Sequence, residues 1–235
     1  ILQKPELGEF ALKTVHFLLN EGKSPKGGVV HFLAPAALGG QLVDQLELAE
    51  ASLFCYSYSG EEFFLEKGKE LVELCLQKGW DEEEGGFWDQ LERGELGALA
   101  HPVKSLDENA LAVRVLLLLA EIIEEGRYRQ IAQETMDAWG TTYQQYGLFA
   151  AGMGLGALRL EPPQLVRIQG KGTDPKARAL AQAAAFDYHP WRLVTWQPKE
   201  GDAIAYPCLG MQCLEPTNSP QELQALLKTE QTISP

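Results

Sequence analysis

Between Lys104 and Tyr143 the hydrophobic and polar positions follow two regimes in succession. From Ala110 to Ile123 almost every position is apolar, with Arg114 and Glu121 the only charges, and a helix that is apolar all round must be buried all round. The next stretch places Tyr128, Ile131, Thr135, Trp139 and Tyr143 on one stripe among Arg129, Gln130, Gln133 and Asp137, which is the pattern of a helix with one wet face. Ser105-Leu106-Asp107-Glu108 reads as a capping box, with Ser105 as N-cap and Glu108 reaching back to it, and Gly126 reads as the left-handed cap at the other end. A buried helix followed by an amphipathic cover is the unit of a layered helical array or an α/α toroid.

The same plan recurs upstream. Gln41 to Ser59 is rich in apolar and small residues and predicts an inner helix, and Glu61 to Lys78 predicts its cover, with Phe64, Leu65, Gly68, Leu71, Val72 and Cys75 on one stripe. Gly60-Glu61-Glu62-Phe63 and Gly126-Arg127-Tyr128 open the two covers at a spacing of about 65 residues, the length of one helix pair with its loop. Pro5 to Asn20 predicts another covering helix, presenting Phe10, Thr14, Phe17 and Leu18. Tyr146 to about Leu160 predicts a third inner helix, whose Gly152, Gly154 and Gly156 sacrifice helix propensity and suit close packing near an axis. At Glu161-Pro162-Pro163 the period changes. Leu165 to Ile168 and Trp191 to Trp196 read as strands flanking a helix that starts at Asp174-Pro175, which makes a βαβ unit. Ala203 to Leu214 adds strand material, and Ser219-Pro220-Gln221-Glu222 opens a last helix with a capping box. The expected organisation is a helical segment over residues 1–161 and a small α/β subdomain over 162–235.

Composition narrows the partners. A chain of 235 residues with 45% hydrophobic content can bury a core, and its net charge of −13 argues against nucleic acid and anionic membranes, which require a basic face. No apolar run approaches the roughly 18 residues of a membrane-spanning helix. The chain starts at Ile1 with no leader-like segment behind it, so we read it as part of a longer or processed protein. Cys55 and Cys75 fall within helical patterns as small core residues. Four cysteines do not make a disulfide scaffold, which leaves a cytoplasmic setting as the default. Cys208 and Cys213 form the one close pair; zinc would need a second pair and thioredoxin-type redox a closer spacing, so a hairpin holding two thiols side by side, reduced or reversibly oxidised, is the simpler reading.

The order of LVDQLELAEASLFCYSYSGEEFF, WDEEEGGFWD, HPVKSLDENALAVRVLLLLAEIIEEGRYR, QYGLFAAGMGLGAL, PPQLVRIQG and AYPCLGMQCLEPTNSPQEL resembles the C-terminal part of the thioredoxin-domain-containing YyaL-like family, which includes the spermatogenesis-associated thioredoxin-like proteins. The resemblance implies roughly half of an α/α barrel similar to N-acylglucosamine 2-epimerases and six-hairpin glycosidases, followed by a small α/β tail. It also implies a role in handling or binding carbohydrate, with no reaction assigned, and a thioredoxin-like domain elsewhere in the protein. The competing class is a non-catalytic scaffold that docks such a domain or another partner. A half barrel exposes the flanks of its inner helices, so a dimer or larger assembly is expected.

In such a barrel the N-termini of the inner helices gather at one mouth, where positive helix ends and loop side chains meet. This nominates Asp44 and Glu108 as the two carboxylates that glycoside hydrolysis needs, and Gln45, Trp88, Lys104, Asn109 and Tyr146 as sugar contacts, Trp88 offering a flat face from the Trp80–Lys104 connection. Within that connection, Gly85 to Asp89 and Leu99 to Val103 could pair as a short hairpin. Asp107 and Glu108 also suit simple capping, and Arg114 needs a carboxylate partner because an unpaired buried charge is costly. For an epimerisation the loop histidines His31 and His101 are the base and acid candidates, although each also suits a surface position. Asp81-Glu82-Glu83-Glu84 lacks the alternation of a calcium loop and reads as a solvated turn. No metal or cofactor is implied.

Overall fold

The computed structural model describes residues 4–34, 39–92, 97–140 and 142–228. In chain order these form helices α1 (Pro5–Glu21), α2 (Leu42–Ser59), α3 (Glu62–Gly79), α4 (Leu106–Ile123), α5 (Gly126–Trp139) and α6 (Ala151–Arg159), then strand β1 (Gln164–Gln169), helix α7 (Pro175–Ala184), strands β2 (Arg192–Gln197), β3 (Ile204–Leu209) and β4 (Gln212–Cys213), and helix α8 (Pro220–Lys228). The chain forms two compact units. One comprises residues 9–53 and 63–160, the other 1–8, 54–62 and 161–235.

In the helical unit, α4 is the buried axis. Every residue from Asn109 to Ala120 is buried except Arg114, which is half-buried and lies 3.6 Å from Glu50 of α2, as its apolar setting required. Arg159 of α6 reaches the same carboxylate at 3.4 Å, so one acid links three helices. The glycine prediction holds at two of three positions. A methyl on Gly152 would stand 3.0 Å from Ala110, and one on Gly156 would stand 2.9 Å from Val113, whereas Gly154 faces open space; the two that matter are one turn apart and let α6 lie against α4. The covers bury part of their predicted stripes, with Leu65, Ile131 and Trp139 only half-buried and Tyr143 exposed. α3 buries Phe64, Gly68, Leu71, Val72 and Cys75, with Gly68 against Leu53 of α2, and α5 buries Tyr128, Ala132 and Thr135. Glu73 of α3 accepts from Arg127 and Tyr128 of α5, which sets the two covers side by side.

Four local expectations are corrected. Ser105 is the N-cap of α4 but its hydroxyl makes no capping bond, and the left-handed residue after α4 is Glu124 at φ 58, with Gly126 opening α5 instead. The length of a helix decides where its reversal falls, and here it falls two residues before the glycine. α1 buries Val15 and Leu19 and leaves Phe10 and Phe17 exposed, a face rotated from the predicted stripe, with His16 stacked on Phe63 of α3 at 4.4 Å. Residues Thr142–Ala150 form tight 3₁₀ turns interrupted at Gly147, φ 54, with Leu148 and Phe149 exposed, so the third inner helix begins only at Ala151.

The α/β unit follows the predicted βαβ plan. β1 and β2 pair in parallel with Val166 opposite Val194, β3 pairs antiparallel with β1, and the sheet order is β2-β1-β3-β4. Asp174 caps α7, accepting from the Lys176 N–H at 3.0 Å with Pro175 at the first position. Ser219 caps α8 through the Glu222 N–H at 3.3 Å. The tail of α2 belongs to this unit: Ser57 Oγ donates to the Val194 carbonyl at 2.7 Å and Tyr56 to that of Trp196 at 3.2 Å. Cys208 and Cys213, opposite one another on β3 and β4, are joined as a disulfide.

Candidate active site at the first turns of two buried helices

A short ladder holds the starts of α2 and α4 together. The Leu91 N–H donates to the Gly40 carbonyl at 2.7 Å, Leu42 N–H to Asp89 carbonyl at 2.9 Å, and Asp89 N–H to Val103 carbonyl at 2.9 Å. Val103 N–H in turn donates to the Asp89 carboxylate at 2.8 Å. Residues at the first turns of the two helices, and those of the 88–91 segment between them, therefore share one end of the helical unit.

Three nominated residues turn out to build that end. Gln45 is buried, accepts from the Val29 N–H at 2.7 Å and donates to the carbonyls of Val29 and Gln41 at 3.0 and 3.1 Å. Asn109 is buried, accepts from the Phe87 N–H at 2.7 Å and donates to the carbonyls of Phe87 and Ser105 at 3.0 and 2.8 Å. These amides brace loops, and their hydrogen-bonding capacity is spent on backbone. Lys104 lies 2.8 Å from the Asp81 carboxylate and 2.8 Å from the Gly85 carbonyl, where its hydrogen bond holds the Asp81 carboxyl below the usual range. Its ammonium also sits 4.8 Å above the Trp88 ring, covering one face of that indole. Asp81 accepts from the Glu83 and Glu84 amides at 3.0 and 3.2 Å, which makes the acidic run a turn. Tyr146 lies in the exposed 3₁₀ segment with its ring edge-on to Trp139 at 6.2 Å.

The two nominated carboxylates are placed differently. Glu108, released from the capping bond assigned to it, is half-buried with Oε2 enclosed and without a hydrogen-bond partner among the described residues. Burial first, then the carboxylates of Asp89, Asp44 and Asp107, push its pKa up to about 7, so at neutral pH it can both release and take a proton. Asp44 receives His31, whose Nδ1 lies 3.1 and 3.0 Å from its two oxygens. An aspartate on Nδ1 fixes the proton there and leaves Nε2 as the basic nitrogen. His31 and Asp44 line a cavity of about 430 Å³ with Glu47 and the apolar side chains of Leu18, Val30 and Phe32, whereas Glu108 is not part of its lining. The sequence offers His31 and His101 as base and acid candidates with a surface position as the alternative for each; it shows neither the pairing of His31 with Asp44 nor the nearness of Asp89 to Glu108, because the loop that brings His31 to Asp44 carries no periodic signal, and His101 is exposed.

The raised Glu108 pKa has a thermodynamic signature. The unfolded carboxyl titrates near its ordinary 4.5 and the folded one near 7, so between these values the folded state holds the extra proton and stability falls as pH rises. Glu108→Gln is expected to melt higher than the parent at pH 8, to match it near pH 4, and to show a flatter pH dependence between, as read by thermal unfolding across that range.

The sequence matches no family model and no curated protein. Among solved structures the fold is similar to that of a D-mannose isomerase, at TM-score 0.50 and 20% identity over 59% of this chain and 40% of that one. It is also similar to a family 76 glycoside hydrolase from a bovine Bacteroides thetaiotaomicron strain, at 0.51 and 15% over 65% and 37%. A family 76 mannosidase from Bacteroides thetaiotaomicron VPI-5482 gives 0.54 and 15% over 68% and 49%. At these identities the likeness is one of fold: a mainly α protein of the α/α toroid type with a small α/β part. The chain spans less than half the length of each of these structures.

Proposed function

We propose that this chain is a carbohydrate-handling segment of an α/α barrel, and that its chemistry is proton transfer on a sugar at the first turns of α2 and α4. In this reading Asp44 orients His31, the Nε2 of His31 takes a proton from the sugar, and Glu108, with a pKa near 7, is the complementary acid. Phe32, exposed at the cavity, supplies the aromatic face. The observation that carries the reading is the 3.0 Å contact between His31 and Asp44 at the cavity of about 430 Å³. The toroid fold shared with an isomerase and two glycosidases supports the substrate class. The order of sequence segments alone supports a thioredoxin-like domain as companion in a YyaL-like protein.

Calorimetric titration of the parent with D-mannose and mannosides, followed by His31→Ala and Asp44→Asn, tests this. Binding to the parent, weakened about tenfold or more in both variants, is the expected result. In the same solutions, proton exchange from the sugar carbon marks isomerase or epimerase chemistry and new reducing ends mark hydrolysis. If the folded parent binds no sugar, the proposal fails. The exposed Phe10, Phe17, Leu148 and Phe149 would then favour the alternative of a non-catalytic module that uses apolar surface to hold a partner.

A further inference from the structure

The α/β unit contains a cavity of its own, of about 300 Å³, and its lining differs in character from that of the helical unit. Its apolar lining comes from Phe54, Ala181, Ala184 and Val194, and its polar lining carries Arg178 and Arg192 against the one carboxylate of Asp187, with Ser57, Gln182 and His189 beside them. Two arginines lining one small cavity are unexpected in a chain of net charge −13.

Arg192, on β2, is held firmly. Nε donates to Gln164 at 2.9 Å, and one terminal nitrogen donates to the carbonyls of Ala184 and Asp187, each at 2.9 Å. Its other terminal nitrogen is buried and has no acceptor among the described residues, a state that costs a charged group more than a neutral one. Burial pushes its pKa down while the Asp187 carboxylate opposes the shift. Asp187 also has Lys228 at 3.4 Å, so this one acid at the cavity does not balance both arginines. Arg178 donates to the Tyr58 carbonyl at 2.8 Å and lies 4.9 Å over the Tyr58 ring, an arrangement that fixes the guanidinium and leaves further donors. The Nδ1 of His189 accepts from the Trp191 N–H at 3.1 Å; burial and Arg192 push its pKa down, so the ring is neutral with its proton on Nε2.

We infer that this cavity binds a small aryl carboxylate, its ring against the apolar wall and its carboxylate toward Arg178 and Arg192. The planar fork of a guanidinium matches a carboxylate in two-point contact. The volume lies at the small end of the range for ligand sites and suits a single ring with a short acidic arm. The walls around the cations are too apolar to replace the hydration of a free phosphate dianion.

Phenylacetate is the probe, with phenylacetamide as its neutral isostere and inorganic phosphate as the anion without a ring, each titrated into the full chain and followed by calorimetry and NMR. Phenylacetate is expected to bind at least about tenfold tighter than the other two. Arg178→Gln and Gln182→Glu, both at the α7 side of the cavity, are expected to weaken phenylacetate by about tenfold or more while leaving the melting temperature within about 2 °C. His31→Ala is expected to leave phenylacetate binding unchanged, which separates this site from the sugar proposal. Equal binding of phenylacetate and its amide, equal binding of phosphate, or indifference to both α7 substitutions in folded variants would each overturn the inference.

Discussion

Asn109→Ala will lower stability by about 3 kcal/mol or more, because two buried backbone groups lose their side-chain partner at once and a third keeps only the main-chain bond from the Asn109 N–H. Phe87 contributes an N–H and a carbonyl, and Ser105 a carbonyl. For a chain of this length that corresponds to a fall of roughly 6 to 12 °C in melting temperature. The result also distinguishes two roles. A sugar contact would lose binding with its fold intact, whereas a brace loses fold first and ligand only in consequence, so urea unfolding with and without D-mannose reads the difference directly. Full stability in the variant would return Asn109 to the list of ligand contacts.

Leu118→Ala should be comparably severe. Leu118 lies mid-helix in α4 with no exposure, and deleting a buried leucine side chain costs about 2 to 5 kcal/mol through lost transfer energy and the cavity left behind. Leu148, at 93% exposure, is the internal contrast. Its replacement by alanine should change stability by less than about 0.5 kcal/mol. Paired urea titrations, compared at their midpoints with slopes unchanged, would check both. A small effect at Leu118 would mean that α4 is not the axis of the helical unit.

Much of this architecture was legible because burial acts on periodic positions. The apolar run from Ala110 to Ile123 could be satisfied only by an inner helix, the stripe of Phe64, Leu65, Gly68, Leu71, Val72 and Cys75 only by a cover, and the switch to alternation at Leu165 only by a sheet. What escaped depended on choices between equivalent local partners. The phenylalanines of α1 suit a buried face, yet Val15 and Leu19 occupy it, with His16 stacked on Phe63. Glu108 fitted a capping box, and capping and a raised pKa draw on the same carboxyl, so only the observed absence of the bond decides between them. Gln45, Lys104 and Asn109 carry polar groups suited to a sugar, and a sequence cannot show that backbone and a neighbouring turn already occupy them. His31 and Asp44 are joined through a loop, where no repeat announces a partner.

The tail of α2 gives the molecule an unusual grammar of parts. The helix begins in one unit, and its residues Phe54 to Ser59 are counted with the other, where Tyr56 and Ser57 bond to the backbone of β2. Severing the chain after Leu160 would strip these residues of their strand, and producing 161–228 alone would leave the strand without its helix. The α/β unit is therefore not a transplantable cassette: a gene fusion that borrows it must carry residues 54–62 as well, either through a rearranged chain order or as a separate peptide supplied for complementation.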